Sequence, residues 1–419
     1  MKYFETKEMI REEIMHRLDI GKEWEDDEIA GIIDDVILEK SHEHYLSTAT
    51  KLTLKHDLFN AIRRLDVLQE LLDDDSVTEI MVNGAGKIFY ERAGKLYQWE
   101  RCFDSDEKLE DVIQQIVSRS NRQVNESLPI VDTSLPDGSR VNVVLRPVAL
   151  NGPIVTIRKF PKAPITMEDL LEWESISEEA VALLKKLVQA GYNIFISGGT
   201  GTGKTTILNV LSHYIPADER VITVEDTPEL QISHIPNLVR LEVRNATTDG
   251  TGEISIRDLV RSALRMRPNR LIIGEVRGAE AIDLLQAMNT GHDGSISTGH
   301  ANSIEDMISR LETMVMMGAD IPLPAIRKQI ASSIDIFIQL GRLRDKSRRV
   351  VEIAEVDGIK DGEIVLNPLF RFVENEKDFY ESCIREENTY KSQRVNGKLE
   401  ATGNTLQHRQ KLIAAALTL

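Results

Sequence analysis

The chain opens on a helical spacing of apolar residues. Ile29, Ile32, Ile33, Val36 and Ile37 recur at i, i+3, i+4, i+7 and i+8, and Leu54, Leu58, Ile62 and Leu65 repeat the stripe. A period of 3.6 residues puts such side chains on one helix face, so residues 1–72 are expected as a helical N-terminal segment, either a small bundle or a docking arm. From about Asp73 the period changes. Short apolar runs, Glu79–Val82 and Lys87–Tyr90, flank Asn83-Gly84-Ala85-Gly86, the composition of a hairpin turn. Val112, Ile113, Ile116 and Val117 then mark one face of a helix, and Val141–Leu145 and Ile154–Ile157 are strand-like. Runs of strands with one or two helices predict an α+β domain over residues 73–160.

Phe160-Pro161-Lys162-Ala163-Pro164 interrupts this pattern, because proline removes backbone donors and stiffens the chain. A linker is expected over 161–180. Beyond it, apolar strands alternate with amphipathic helices to about residue 340, the signature of a mainly parallel α/β sheet. Val350–Val356 and Glu363–Leu366 resemble a final hairpin, and residues 371–419 are expected as a polar tail.

Composition narrows the class. With 419 residues, 41% hydrophobic and 28% charged, the chain is expected to fold as a globular protein of two or three domains. No apolar run approaches the roughly 18 residues that cross a bilayer, and the charged N-terminus lacks the apolar core of a secretory signal. Cys102 and Cys383 stand far apart, which suits a reducing compartment, so a cytoplasmic location is expected. The net charge is −17, and residues 1–43 alone carry six Lys/Arg against fourteen Asp/Glu. Phosphate contacts require clustered positive charge, so direct binding of nucleic acid is not expected.

The strongest chemical signal is Gly198-Gly199-Thr200-Gly201-Thr202-Gly203-Lys204-Thr205, followed by Thr206. Glycines let backbone N–H groups wrap a phosphate without Cβ obstruction, Lys204 neutralises its oxygens, and the Thr205 hydroxyl suits Mg²⁺. A buried-strand pattern, Asn193–Ser197, leads into the loop, and Ile207, Leu208, Val210 and Leu211 open a helix after it. About seventy residues on, Leu271-Ile272-Ile273-Gly274-Glu275 is an apolar strand ending in a carboxylate. Such an acid can order Mg²⁺ through water or polarise the attacking water, and a glutamate favours the second role. Between them, Val221–Val224 forms another core strand with Glu225, Asp226 and Glu229 at its C-terminal end. His292 and His300 follow in a Gly- and Ser/Thr-rich stretch, with no cysteine or third histidine at zinc-ligand spacing.

These four boxes, in this order, resemble the secretion-superfamily ATPases of type II secretion, type IV pili and type IV secretion. The similarity is tightest to the CpaF family of Flp/Tad pilus assembly ATPases, through Ser134–Arg140, Ala149–Pro153, Thr156–Phe160 and Gly274–Gly278. It covers roughly residues 54–370, with the ending Gly397–Gly403 also of that type, and is weakest in the first fifty residues and over 371–395. The resemblance implies a homo-hexamer in which an N-terminal α+β domain precedes a RecA-like P-loop domain at 181–370. It implies that Lys204 and Thr205 bind ATP·Mg²⁺, that Glu275 is the Walker B glutamate, and that Glu225 positions the attacking water. It further implies that His292 and His300 sense the γ-phosphate, that Arg140 and Arg158 approach the nucleotide, and that the ring docks on inner-membrane platform proteins at the cytoplasmic face. A nucleic-acid motor and a non-catalytic nucleotide-binding ring are the alternatives; the acidic charge disfavours the first, and intact Lys204, Thr205 and Glu275 disfavour the second.

Overall fold

The computed structural model describes residues 3–18, 22, 24–43, 45–120, 122–160, 164–244, 251–375 and 395–418. The chain divides into two compact units, Met1–Ala163 and Pro164–Leu419.

In the first unit, α1 (Tyr3–Arg17), α2 (Asp26–Glu43) and α3 (Thr48–Arg63) enclose their own core of Ile10, Ile14, Ile29, Ile33, Val36, Ile37, Leu54 and Leu58. The apolar stripe therefore closes a bundle. Its end differs from the sequence expectation, because Leu65 and α4 (Leu68–Asp73) pack with the following sheet instead. That sheet has the order β3-β2-β1-β6-β5-β4, from β1 (Val77–Asn83), β2 (Ile88–Arg92), β3 (Lys95–Gln98), β4 (Ile130–Ser134), β5 (Arg140–Val144) and β6 (Ile154–Arg158). The turn between β1 and β2 uses Gly84 at φ +71°, where a Cβ would lie 2.6 Å from the Asn151 carbonyl oxygen. Helix α5 (Asp106–Arg119) is capped by Ser105 and buries Leu109, Val112, Ile113, Ile116 and Val117. Each of these side chains contributes about 1.5–3 kcal/mol by leaving water.

The second unit is built on a nine-stranded sheet of order β15-β14-β13-β12-β7-β11-β10-β8-β9. The strands are β7 (Ile194–Gly198), β8 (Val221–Glu225), β9 (Leu238–Glu242), β10 (Arg270–Ile273), β11 (Ile296–Gly299), β12 (Ile336–Arg342), β13 (Arg348–Lys360), β14 (Glu363–Glu374) and β15 (Gly397–Ala401). From β12 to β9 the neighbours are parallel, and β13, β14 and β15 add on antiparallel. Both faces are covered. Ile194 and Ile196 of β7 join a core with α7 (Glu178–Gln189) and α8 (Lys204–Ser212), while Phe195 points to the layer of α9 (Ile256–Ala263), α10 (Ala281–Asn289), α11 (Ile304–Gly318) and α12 (Leu323–Ser333). Coverage on both faces explains why the central strands read as continuous apolar runs.

Two expectations change here. Part of the expected linker is structured: α6 (Met167–Glu172) starts on a Thr166/Asp169 capping box and buries Met167 and Leu170, while 161–163 lie outside the described residues. The expected tail is partly core. β15 pairs with β14, Leu399, Leu406 and Leu412 join the main cluster, and α13 (Gln410–Ala414) is tied down by Lys411, whose Nζ meets Asp335 Oδ2 at 2.8 Å and Asp293 Oδ1 at 2.7 Å. Three isolated leucines carry too little periodicity to announce this. Residues 376–394, with Cys383, lie outside the described residues. Among the described residues, no helix is long and apolar enough to cross a membrane.

Candidate functional site

The sheet order assembles the site. β7, β11, β10 and β8 are consecutive parallel neighbours, so their C-terminal ends form one edge. From that edge emerge the phosphate loop after β7, His300 after β11, Glu275 after β10 and the acidic loop after β8. Four segments spread over a hundred residues meet where open α/β sheets bind ligands.

The loop from Gly198 to Gly203 depends on glycine at two positions in particular. Gly201 and Gly203 adopt φ +70° and +98°, which L side chains rarely do. Gly203 caps α8 without a side-chain hydrogen bond, so no cap side chain takes up the first N–H groups of that helix, where the positive end of its dipole lies. Thr202 Oγ1 braces the loop by donating to the Gly199 carbonyl at 2.9 Å. Lys204 is buried; its Nζ donates to the carbonyls of Gly198 (3.2 Å) and Gly199 (3.0 Å) and lies 3.3 Å from His300 Nδ1.

An ammonium can only donate, so His300 Nδ1 accepts and the ring proton sits on Nε2. That Nε2 lies 3.0 Å from Glu275 Oε1. Burial and the neighbouring Lys204 charge both hold the His300 pKa below its ordinary value, with Glu275 opposing them. Burial alone would raise the Glu275 carboxyl, but the Arg277 hydrogen bonds and charge, with His300 and Lys204, hold it below the usual range. Glu275 is therefore an anion and His300 a neutral bridge at neutral pH.

The acidic loop separates two glutamates. Glu225, at the end of β8, is buried, and its Oε1 accepts from the backbone N–H of Glu229 (2.8 Å) and Leu230 (2.9 Å). Its carboxylate is turned onto its own loop. Glu229 is the acid that reaches the phosphate-loop helix: its Oε2 accepts from Thr205 Oγ1 at 3.0 Å. The Thr205 hydroxyl and the Glu229 carboxylate beside it are oxygen donors, which suit a hard cation such as Mg²⁺.

The two histidines part company. His292 lies between α10 and β11, at the N-terminal end of β11, with Nδ1 3.2 Å from the Ala287 carbonyl. His300 follows the opposite end, on the order of 10 Å of strand away. β11 thus separates the two histidines within one chain, and His300 is the one at the end of the sheet that carries the phosphate loop. Arg140 and Arg158 belong to the first unit, directly opposite each other on β5 and β6, with Arg158 Nε 3.5 Å from Glu79 Oε1.

A family model described as type II/IV secretion system protein matches residues 63–411. The chain belongs to that family. It is 33% identical over 322 residues to the type IV secretion system protein PtlH of Bordetella pertussis, covering 70% of this chain and 95% of PtlH. It is 42% identical over 244 residues to an uncharacterized protein of Methanocaldococcus jannaschii, covering 56% of this chain but only 34% of that longer relative. Its fold is similar to that of the pilus retraction motor PilT with bound ADP, at a TM-score of 0.52 and 19% identity over 73% of this chain and 81% of that one. The RecA-like α/β fold implied by the boxes is thus the fold observed. The α1–α3 bundle lies almost wholly outside the matched region.

Sequence reasoning gave Arg277 no role, and Glu229 none beyond that of an acid at the ligand-binding edge expected to serve metal or water. Arg277 donates through Nε to Glu275 Oε1 (2.9 Å) and through Nη2 to Glu275 Oε2 (3.0 Å). Spacing offered a weak signal for Glu229, four residues past Glu225, and none for the fork of Arg277.

Proposed function

We propose that this chain is an ATP-hydrolysing motor that powers protein secretion or pilus assembly. The observation that carries the reading is the convergence of Lys204, Thr205, Glu229, His300 and Glu275 from neighbouring parallel strands onto one crevice. The phosphate loop and the α8 N-terminus would hold the polyphosphate, Lys204 would neutralise it, and Thr205 would hold Mg²⁺. When bound, Mg²⁺ would supply charge neutralisation for the phosphates. Glu275 and Glu229 order the water side of the site, His300 reports the state of Lys204 to Glu275, and Glu225 holds the loop that presents Glu229.

The finer reading is a homo-hexamer of the Flp/Tad type, held at the inner face of the cytoplasmic membrane by platform proteins, with Arg140 and Arg158 supplying cations to the nucleotide. The quoted segments that resemble the CpaF family support it, together with the membership in a secretion family. The test is phosphate release and light scattering on the wild type and Lys204→Ala. Magnesium-dependent turnover by a six-fold assembly, abolished in the variant with the assembly retained, is expected. Undiminished turnover in Lys204→Ala would remove the assigned site.

A further inference from the structure

Glu275 sits on a pinned turn. Gly274 N donates to the Val224 carbonyl at 2.9 Å on the β8 side, and Val276 N donates to the Thr298 carbonyl at 2.9 Å on the β11 side. Thr298 Oγ1 donates back to the Gly274 carbonyl at 2.7 Å. Glu280 Oε1 then accepts from Arg277 N (2.7 Å) and Gly278 N (2.8 Å), which holds the start of the Arg277 side chain in place.

From this base the Arg277 guanidinium engages both oxygens of Glu275, and its Nη1 lies 3.7 Å from Asp226 Oδ2 at the end of the adjacent strand. A carboxylate has about four lone-pair sites. On Glu275, Oε1 receives Arg277 Nε and His300 Nε2, and Oε2 receives Arg277 Nη2. Among the described residues these contacts leave one site, on Oε2. The planar fork also sets the plane of the carboxylate, which a point charge such as lysine cannot do.

We propose that Arg277 is a positioning residue for ATP hydrolysis: its fork, with His300, leaves Glu275 a single lone pair on Oε2 with which to orient water. The proposal rests on Glu275 acting in an ATPase site as read above. It assigns Arg277 no contact with nucleotide. Its effect passes through Glu275 and vanishes when that carboxylate is removed.

The test is a double-mutant cycle on the full-length protein with Arg277→Ala and Glu275→Gln, measured as single-site and double variants by phosphate release. A fluorescent ATP analogue gives nucleotide affinity in EDTA and in Mg²⁺, and thermal denaturation gives folding. Arg277→Ala is expected to lower kcat by about 10–100-fold while changing nucleotide Kd by less than about 3-fold. On the Glu275→Gln background the same change is expected to alter kcat by less than about 2-fold. Arg277→Lys, which keeps the charge without the fork, is expected to recover less than about a third of the wild-type rate. The same fold-loss in both backgrounds, a Kd change that accounts for the loss, or full recovery in Arg277→Lys would overturn the proposal. Lys204→Ala separates the two readings: if it turns over normally the ATPase site is wrong, and if it is inactive while the cycle is additive only the role of Arg277 fails.

Discussion

Thr205 Oγ1 donates to Glu229 Oε2 at 3.0 Å, joining the first turn of α8 to the acidic loop after β8. The contact places a carboxylate beside the hydroxyl suited to Mg²⁺, where it can act on metal-bound or attacking water. Glu229→Gln is expected to lower kcat by about 100-fold, within the range of general-base removal, with nucleotide Kd changed by less than about 3-fold. Phosphate release and analogue binding on the variant check this. Wild-type kcat would return Glu229 to a purely local role.

Glu225 is expected to behave as a loop brace. Burial pushes its carboxyl above the ordinary value, with the two backbone N–H groups opposing. A carboxyl whose folded pKa is raised binds its proton more readily when folded. Its contribution to stability is therefore lost as pH rises from the ordinary value through the folded one, at up to about 1.4 kcal/mol per pH unit. Glu225→Gln escapes that cost and keeps an oxygen for both N–H groups. Its Tm is expected to equal or exceed the wild type at pH 7.5, with the difference closing near pH 4, and its kcat to stay within about 3-fold. Glu225→Ala leaves the Glu229 and Leu230 N–H groups without this acceptor, a loss of about 2–3 kcal/mol, and is expected to melt lower at both pH values. A kcat loss above 10-fold in Glu225→Gln with normal melting would give the residue a direct role in hydrolysis.

Arg140 and Arg158 face each other across the β5–β6 pair, an arrangement that costs energy between like charges unless acids offset it, as Glu79 does for Arg158. On the proposed function both serve the nucleotide. The Arg140→Ala/Arg158→Ala double variant is expected to keep its assembly state and lose at least about 10-fold in kcat, a reduced version of an arginine-finger effect. Light scattering and phosphate release decide it, and a wild-type kcat would end the assignment.

The N-terminal bundle predicts an unusual order of truncation effects. Leu54 and Leu58 of α3 are fully buried against α1 and α2, and Tyr3 Oη donates to buried Asp57 Oδ2 at 2.8 Å. Removing residues 1–43 strands α3 with its apolar face uncovered and takes the Tyr3 partner from Asp57. Removing residues 1–62 takes the whole bundle and leaves Arg101 paired with Glu70 at 2.6 Å. The shorter deletion is expected to melt lower and aggregate, and the longer one to remain folded with its ATPase activity intact. Differential scanning fluorimetry and light scattering compare them; equal melting would show that α3 does not depend on α1 and α2.

Much of this protein is written locally. The glycines at 201 and 203, Lys204 and Thr205 declare a phosphate loop because backbone conformation and ligand chemistry there depend on a few adjacent residues. The stripes of α2, α3 and α5 and the apolar runs of β7, β8 and β10 were likewise legible, since periodicity reports which face of an element is buried. Tertiary structure decided the rest. His292 and His300 are neighbours in the sequence, yet β11 runs between them and sends them to opposite sheet edges. Glu225 and Glu229 share one acidic box, and only the turn after β8 directs the first to its own backbone and the second to Thr205. Leu399, Leu406 and Leu412 find a core only because β14 provides an edge for β15. A sequence specifies conformation through short-range periodicity. Which carboxylate meets which hydroxyl depends on strand order and side-chain direction, which arise only when distant segments pack.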